Sequence, residues 1–540
     1  MKKTLWFRLI VGIMAVTVLF AACASGTTPA TTTAPGASAS NNAPVVTAGA
    51  EPVAQDELVE FSVATWRGHT QVDSLIQKTL EERYNVKINL ILLPAPPDHQ
   101  AKLALMIADA SQRPDVFLWE RGWQKEYAQW RDAGLLTEIS DLYFKYPNIR
   151  EYSDGPWGGD SMFFAAEADG KLYRIPGDIS EPGHMIGMIR TDWLEHVGME
   201  VPVTYDAYME ALYAFIDNNP TNGNPEAYAF INNHELRSFQ SWWSYYDIIG
   251  DNFRLKEDGT VVYGPLEPQM KDALTDIQNL YKAGGIDPNI LTNGYSTTEK
   301  TAAGLWGSTY RWVASFNKEG SGYKNFKANN PDGDFAPLIP FPNPTGNERD
   351  RGISFEGNYY WGITAQAADK AERIYAFFDG CAAGEDYLTK KFGIKGEHYD
   401  IVDGLYKNLL APDDNTTKNI GINVFHDFVN RKDEMNIGNH PDVAAMFERG
   451  TELAANDIKA TVYIKTSDRP AWNANRAALD DVRDVYLWGI IAGQRPVSDF
   501  DAFVAAWNAA GGTEATAETA ALYESQKAEF ENFPNVFKAK

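Results

Sequence analysis

The sequence predicts an α/β protein built as two lobes around a cleft, and three observations carry that prediction. Strand-like and helix-like segments alternate between residues 59 and 119, the pattern of a mostly parallel sheet with helices laid on it. The stretch Asp169–Gly198 holds a tight turn, a short strand and the apolar run Met185–Ile189, punctuated by Pro176, Gly177, Pro182, Gly183 and Gly187. Such punctuation marks a change of chain direction, read here as the passage from one lobe to the other. Finally, 540 residues with 44% hydrophobic side chains exceed what one core usually spans.

The chain opens with an address. Lys2, Lys3 and Arg8 precede the apolar run Ile10–Phe20, which is short for a bilayer span, and Ala21-Ala22 lead to Cys23. Residues 1–22 read as a signal peptide. Residues 23–57, rich in Ser, Thr, Ala, Pro and Gly, read as a disordered tether. Val59–Trp66 alternates and reads as the first strand; Val86–Leu93 and Pro114–Trp119 read as the next two, with helices between them. Ligands in such layers gather at the carboxyl ends of strands, which here carry Trp66, Arg67, Trp119, Glu120 and Trp123. Helices are predicted over Tyr205–Ile216 and Pro268–Ala283, the latter closed by Gly284-Gly285. Gly304–Trp312 is an aromatic strand or turn, and Gly357–Ile363 a strand returning to a sheet. Lys370–Phe378 reads as helix, 400–420 as a polar crossing, and the chain beyond about 440 as helical. This places lobe one at 58–180 with 352–405, and lobe two at 185–345 with 410–540.

Charge and composition narrow the function. A formal net charge of −25 disfavours nucleic acid and anionic membrane surfaces. Cys381 is the one cysteine besides Cys23 and reads as a buried structural thiol. The eight histidines show no short-range metal-ligand pair, and no nucleophile elbow, phosphate loop or dinucleotide fingerprint occurs. With 73 acidic residues, a pair of carboxylates at glycosidase spacing carries no information. Fifteen Trp and 26 Tyr supply stacking surfaces for sugar rings. Those beside planar polar groups are the candidate wall: Trp66-Arg67, Trp119-Glu120, Trp157, Trp242-Trp243, Tyr310-Arg311, Glu356, Tyr360 and Trp361. Trp193 and Trp507 lie on amphipathic helices and are assigned to packing.

Two resemblances sharpen this. Leu19-Phe20-Ala21-Ala22-Cys23 resembles the lipobox of bacterial lipoproteins, with Phe20 where Leu is preferred. It implies acylation of Cys23 and attachment at the outer face of the cell membrane, or at the periplasmic side in a two-membrane cell. Asp169–Pro176, Ile189–Leu194 with Gly198, Pro202 and Thr204, Trp361–Asp379 and Phe392–Tyr399 together resemble the family 1 extracellular solute-binding proteins of bacterial ABC importers, in particular their large oligosaccharide-associated subgroup. The resemblance implies a type II periplasmic-binding-protein-like fold with a ligand cleft. It further implies an oligosaccharide ligand, ABC permease subunits as partners, no enzymatic activity and a monomer. Relatives in this subgroup often carry a calcium loop after the helix matching Tyr205–Ile216. Here Asp217–Glu226 offers only two carboxylates, with Pro225 disturbing the spacing, so it is read as a solvated turn and no cofactor or metal is expected. The rival readings are a secreted carbohydrate-active enzyme and a ligand-presenting surface or sensory protein of the same fold. A peptide or polyamine is the rival ligand.

Overall fold

The computed structural model describes residues 57–538, apart from 67–70, 95–97, 155–158, 179–184, 222, 313–320, 347–357, 404, 411–418, 426–427, 430–452, 454–459, 461, 463 and 466–468. The leader, the tether, Cys23, Arg67, Trp157 and Glu356 therefore lie outside the described residues. In chain order the strands are β1 (Val59–Thr65), β2 (Val86–Leu92), β3 (Val116–Glu120), β4 (Ile175–Asp178), β5 (Met185–Arg190), β6 (Tyr228–Phe230), β7 (Phe253–Leu255), β8 (Val261–Tyr263), β9 (Trp306–Trp312), β10 (Phe335–Leu338), β11 (Tyr359–Ile363), β12 (Tyr399–Val402) and β13 (Leu405–Asn408).

The first sheet has the order β2-β1-β3-β11-β4. β1 pairs with β2 and β3 in parallel, and β11 lies antiparallel to both β3 and β4. The expected parallel layer is thus interrupted by the returning strand, because β11 enters from the edge at which β3 and β4 leave. Helices cover both faces, so successive residues are buried: Val116, Phe117, Leu118 and Trp119 in β3, and Tyr360, Trp361, Gly362 and Ile363 in β11. The helix Leu75–Tyr84 shows how local sequence sets the boundaries. Ser74 Oγ accepts from the Gln77 amide at its start, and Asn85 ends it in the left-handed region at φ 47°.

The second sheet has the order β10-β5-β9-β6. β9 and β10 run antiparallel to β5, and β6 runs parallel to β9. The helix Thr191–Val197 follows β5 directly and stops at Gly198, φ 73°. Arg190 is buried under it: Nε and Nη2 donate to Asp192 at 2.7 and 2.5 Å, and Nη1 donates to the Gly304 carbonyl at 2.9 Å. Trp193 packs edge-on against Phe215. Both residues anchor this lobe. The predicted helix Pro268–Ala283 appears as Met270–Lys282.

Two predicted boundaries change. The polar crossing at 400–420 contains the hairpin β12–β13, turning at Asp403 with φ 53°. Its Tyr399 and Tyr406 pack on Phe392 of the preceding helix. The carboxyl-terminal third also reaches the first lobe. Phe425 and Phe428 pack against Phe378, and Phe530 and Phe533 of the helix Thr513–Lys538 pack against Phe163. The start of that helix faces β8 instead, where Ala517 and Ala520 share an apolar hollow with Tyr263. Both sheets belong to one compact unit, Val46–Lys540. Among the described residues no helix is long and apolar enough to cross a membrane.

Asp379, on the helix Ala371–Gly380, is buried and accepts from the Ile149 amide at 2.8 Å. Burial pushes its carboxyl up to about 6, against hydrogen bonds from Ile149 and Asn148 that pull it down. Its folded value lies above its unfolded one, so the folded state holds more protons between about pH 4 and 6, and stability falls as pH rises through that window. Asp379→Asn keeps the acceptor oxygen and loses the charge. Urea unfolding from about pH 4 to 7 should show the variant gaining on the native protein by about 2–3 kcal/mol. Parallel profiles would mean that Asp379 is not the group responsible.

Candidate functional site

The strand directions bring several chain ends to one edge of the first sheet. β1 ends at Thr65, followed by Trp66; β3 ends at Glu120; β4 ends at Asp178; and β11 begins there, with Tyr359 opposite both Glu120 and Asp178. Chain leaves this edge after β4 to start β5, and returns to it at β11 after β10. In the second sheet the corresponding edge holds Met185 paired with Trp312, and Leu338 at the end of β10. Six residues connect Asp178 to Met185, and the seven steps between the two can span at most about 25 Å. The two strand ends therefore lie within that reach of each other.

At the first edge four rings converge. Trp66 lies 4.6 Å from the His99 ring, stacks at 6.2 Å and 21° on Trp123, and meets Tyr359 edge-on at 5.9 Å. His99 comes from the first turn of the helix Asp98–Ala108, and Trp123 caps the helix Gln124–Asp132. Glu120 borders this box with its side chain 41% exposed, its Oε1 3.4 Å from His99 Nε2. Trp66 and Trp123 are themselves largely covered, at 7% and 5% exposure, whereas Tyr359 is partly open, so Glu120 can accept from sugar hydroxyls while Tyr359 and the uncovered edge of the indoles carry the CH faces.

Several predicted wall residues are core residues instead. Trp119 is fully buried, stacked on Tyr127 and edge-on to Trp130. Tyr360 is fully buried, and with Tyr127 it sandwiches the Arg174 guanidinium, which lies 4.3 and 3.8 Å from the two ring centroids. Trp361 is fully buried against Phe378 and donates Nε1–H to the Phe428 carbonyl at 2.8 Å. Trp242 and Trp243 are also fully buried. The first packs on Tyr208 and Phe230, and the second donates to the Leu236 carbonyl at 2.7 Å. In each case helices cover the face that was expected to be open, so adjacency to a polar residue in sequence said nothing about exposure.

Tyr310 and Arg311 point to opposite faces of β9. Tyr310 borders a recess with Gly187, Ser241, Ser244 and Phe341 whose volume, about 10 Å³, holds at most a single water. Arg311 is turned to the other side, where Nη1 donates to Thr301 Oγ1 at 2.6 Å. Its burial lowers its pKa from the ordinary arginine value. A hollow of about 540 Å³ between β8 and the carboxyl-terminal helix touches none of the predicted residues and neither sheet edge.

In Asp217–Glu226 the Asn219 side chain accepts from the Thr221 amide and hydroxyl, and Asn224 accepts from the Glu226 amide. Lys300 Nζ lies 3.2 Å from Glu226 and 3.0 Å from the buried Asp287. No group of three or more acidic, His or Cys side chains suited to a metal occurs among the described residues.

His99 and Tyr359 were missing from the predicted wall, and Trp123 was named at a strand end but not placed in it. Trp123 and Tyr359 stand directly beside strand ends, a signal the sequence did contain. His99 had none, since its place depends on how its helix packs.

A family model described as bacterial extracellular solute-binding protein matches residues 68–388. The substrate-binding protein FusA of a fructooligosaccharide ABC transporter from Streptococcus pneumoniae is 26% identical over 241 residues, 42% of this chain and 44% of FusA, so less than half of that relative is matched. Lipoprotein LipO of Bacillus subtilis is 22% identical over 475 residues, 83% of this chain and 85% of LipO. The crystal structure of the alginate-binding protein AlgQ2 without calcium superposes with a TM-score of 0.63 at 19% identity, covering 87% of this chain and 99% of AlgQ2. That likeness shows the two-lobed fold.

Proposed function

The chain belongs to the bacterial extracellular solute-binding proteins, a family of binders and not enzymes, and from that premise we propose that it captures an oligosaccharide between its lobes for an ABC permease. The observation that carries the sugar reading is the ring box of Trp66, Trp123 and Tyr359 beside the half-exposed Glu120. It stands at the strand edge where the chain passes between the two sheets. The names of FusA and AlgQ2, one for fructooligosaccharide and the other for alginate, point the same way. In this reading the lobes close on the solute, and the permease reads the closed state. Cys23 carries the lipid that holds a monomeric body at the membrane, with residues 23–57 as its tether. The two lobes are built around the first and second sheets.

A thermal-shift screen over plant and microbial oligosaccharides tests the proposal, and at least one should raise the melting temperature. Silence across the panel with a response to peptides would overturn the sugar reading. Trp66→Ala should then weaken that sugar by about 2 kcal/mol, roughly thirtyfold in Kd. Affinity within twofold of the native protein would take Trp66 out of the site.

A further inference from the structure

Lys300 Nζ lies between two carboxylates, 3.0 Å from Asp287 and 3.2 Å from Glu226, and 4.6 Å from the centre of the Tyr228 ring. Asp287 is fully buried, and its carboxylate is the hub of the cluster. One oxygen accepts from the Asn289 amide and side chain, both at 3.0 Å, and the other accepts from the Tyr295 hydroxyl at 2.5 Å. Glu226 ends the loop Asp217–Glu226 and keeps its side chain 62% exposed. We propose that the Lys300 ammonium is a built-in cation at this loop, clamping Glu226 to the buried Asp287 so that the chain holds the loop without a divalent metal. The clamp does not depend on which solute the protein captures.

The subgroup that this chain resembles often carries a calcium loop here, but the residues present do not fit that ion. Calcium takes about six to eight oxygens, several of them charged. Asn219 Oδ1 is engaged by the Thr221 amide and hydroxyl, and Asn224 Oδ1 by the Glu226 amide. A dication on Glu226 would stand within a few ångströms of Lys300 Nζ and be repelled by it. Burial pulls the pKa of Lys300 down, but Asp287 and Glu226 outweigh it and hold it above the ordinary lysine value, so the ammonium keeps its charge. The clamp reaches further than the loop. The Asp287 amide donates to the Phe230 carbonyl, at the end of β6, at 3.1 Å. Thr297 precedes the helix Thr298–Ala303 that carries Lys300, and its amide and hydroxyl donate to Asn233 Oδ1 at 3.1 and 3.2 Å. β6 runs parallel to β9, so the segment after it heads for the edge that holds Met185 and Trp312. One ammonium thus ties the loop before β6 to the elements that fix the chain after it.

Hydrogen exchange on the full chain, with no solute added, tests the clamp. Glu226→Gln leaves Asp287 paired with Lys300 and should speed amide exchange across Asp217–Glu226 by about threefold. Lys300→Met should speed it by about tenfold, and adding Glu226→Gln to that variant should change it by less than about 1.5-fold, because the clamp is already gone. Exchange unmoved by Glu226→Gln, or a full-sized further effect in the double variant, would overturn the clamp. Should Lys300→Met not fold, Glu226→Gln decides by itself, since its exposed side chain puts little burden on folding. The metal is read by melting temperature. An ion bound only by the folded chain raises it by mass action, so the native protein in about 5 mM calcium and in chelator should agree within about 1 °C. A rise of about 3 °C or more with calcium would overturn the metal-free reading of the loop.

Discussion

Trp361→Ala should cost the protein about 3–5 kcal/mol of stability and lower its melting temperature by roughly 3–5 °C, a small shift because the unfolding entropy of so long a chain is large. The indole is fully buried, 4.8 Å from Phe378 and 6.1 Å from Phe428 between ring centroids. Truncation leaves a cavity that the surrounding rings can fill only in part. It also strands the Phe428 carbonyl, which accepts the indole N–H at 2.8 Å, for about 1 kcal/mol more. Trp361→Phe should recover most of the packing and none of the hydrogen bond. Calorimetry gives the melting shift, and solute affinity measured well below the transition should stay within twofold. A protein with unchanged melting and abolished binding would return Trp361 to the ligand wall.

Arg190→Ala is the second large effect, expected at about 3 kcal/mol. The guanidinium is buried and uses both edges, holding Asp192 with Nε and Nη2 and the Gly304 carbonyl with Nη1. It also lies 4.9 Å from the Phe326 ring centre and 5.5 Å from that of Trp193. It therefore ties the start of the second lobe's first helix to the turn before β9. Asp192 keeps some solvent contact, with its side chain 28% exposed, which tempers the penalty of leaving it unpaired. Arg190→Lys should restore only part, because an ammonium cannot make the two parallel bonds. Urea unfolding measures both variants. A lysine variant as stable as the native protein would show that charge alone, not the planar fork, does the holding.

These two residues show how differently the sequence spoke about framework and site. Trp193 was legible as a packing residue, and Arg190 sits beside it at a strand-to-helix junction whose stop residue, Gly198, is local. Strand and helix positions were legible for the same reason: β11 was expected over Gly357–Ile363 and occurs over Tyr359–Ile363. The wall was read less well. On a sheet covered on both faces every side chain is buried, so Trp119, Tyr360 and Trp361 carry the same local pattern as residues that could face a cleft. Trp66 lies one residue past the end of its strand and keeps only 7% exposure, so its own place at the edge of the cleft was no easier to read.

What the sequence determined by itself is the set of local elements, their order, the place where the chain passes between lobes and an acidic, exported character. Each depends on neighbours within a few residues or on composition. Only the tertiary structure decided which aromatic rings meet. Tyr359 reaches Trp66 because β11 inserts antiparallel beside β3, and His99 reaches Glu120 because the first turn of its helix lies against the residues that follow β1 and end β3. Those contacts join residues far apart in the chain through sheet register and helix packing, which no local periodicity encodes.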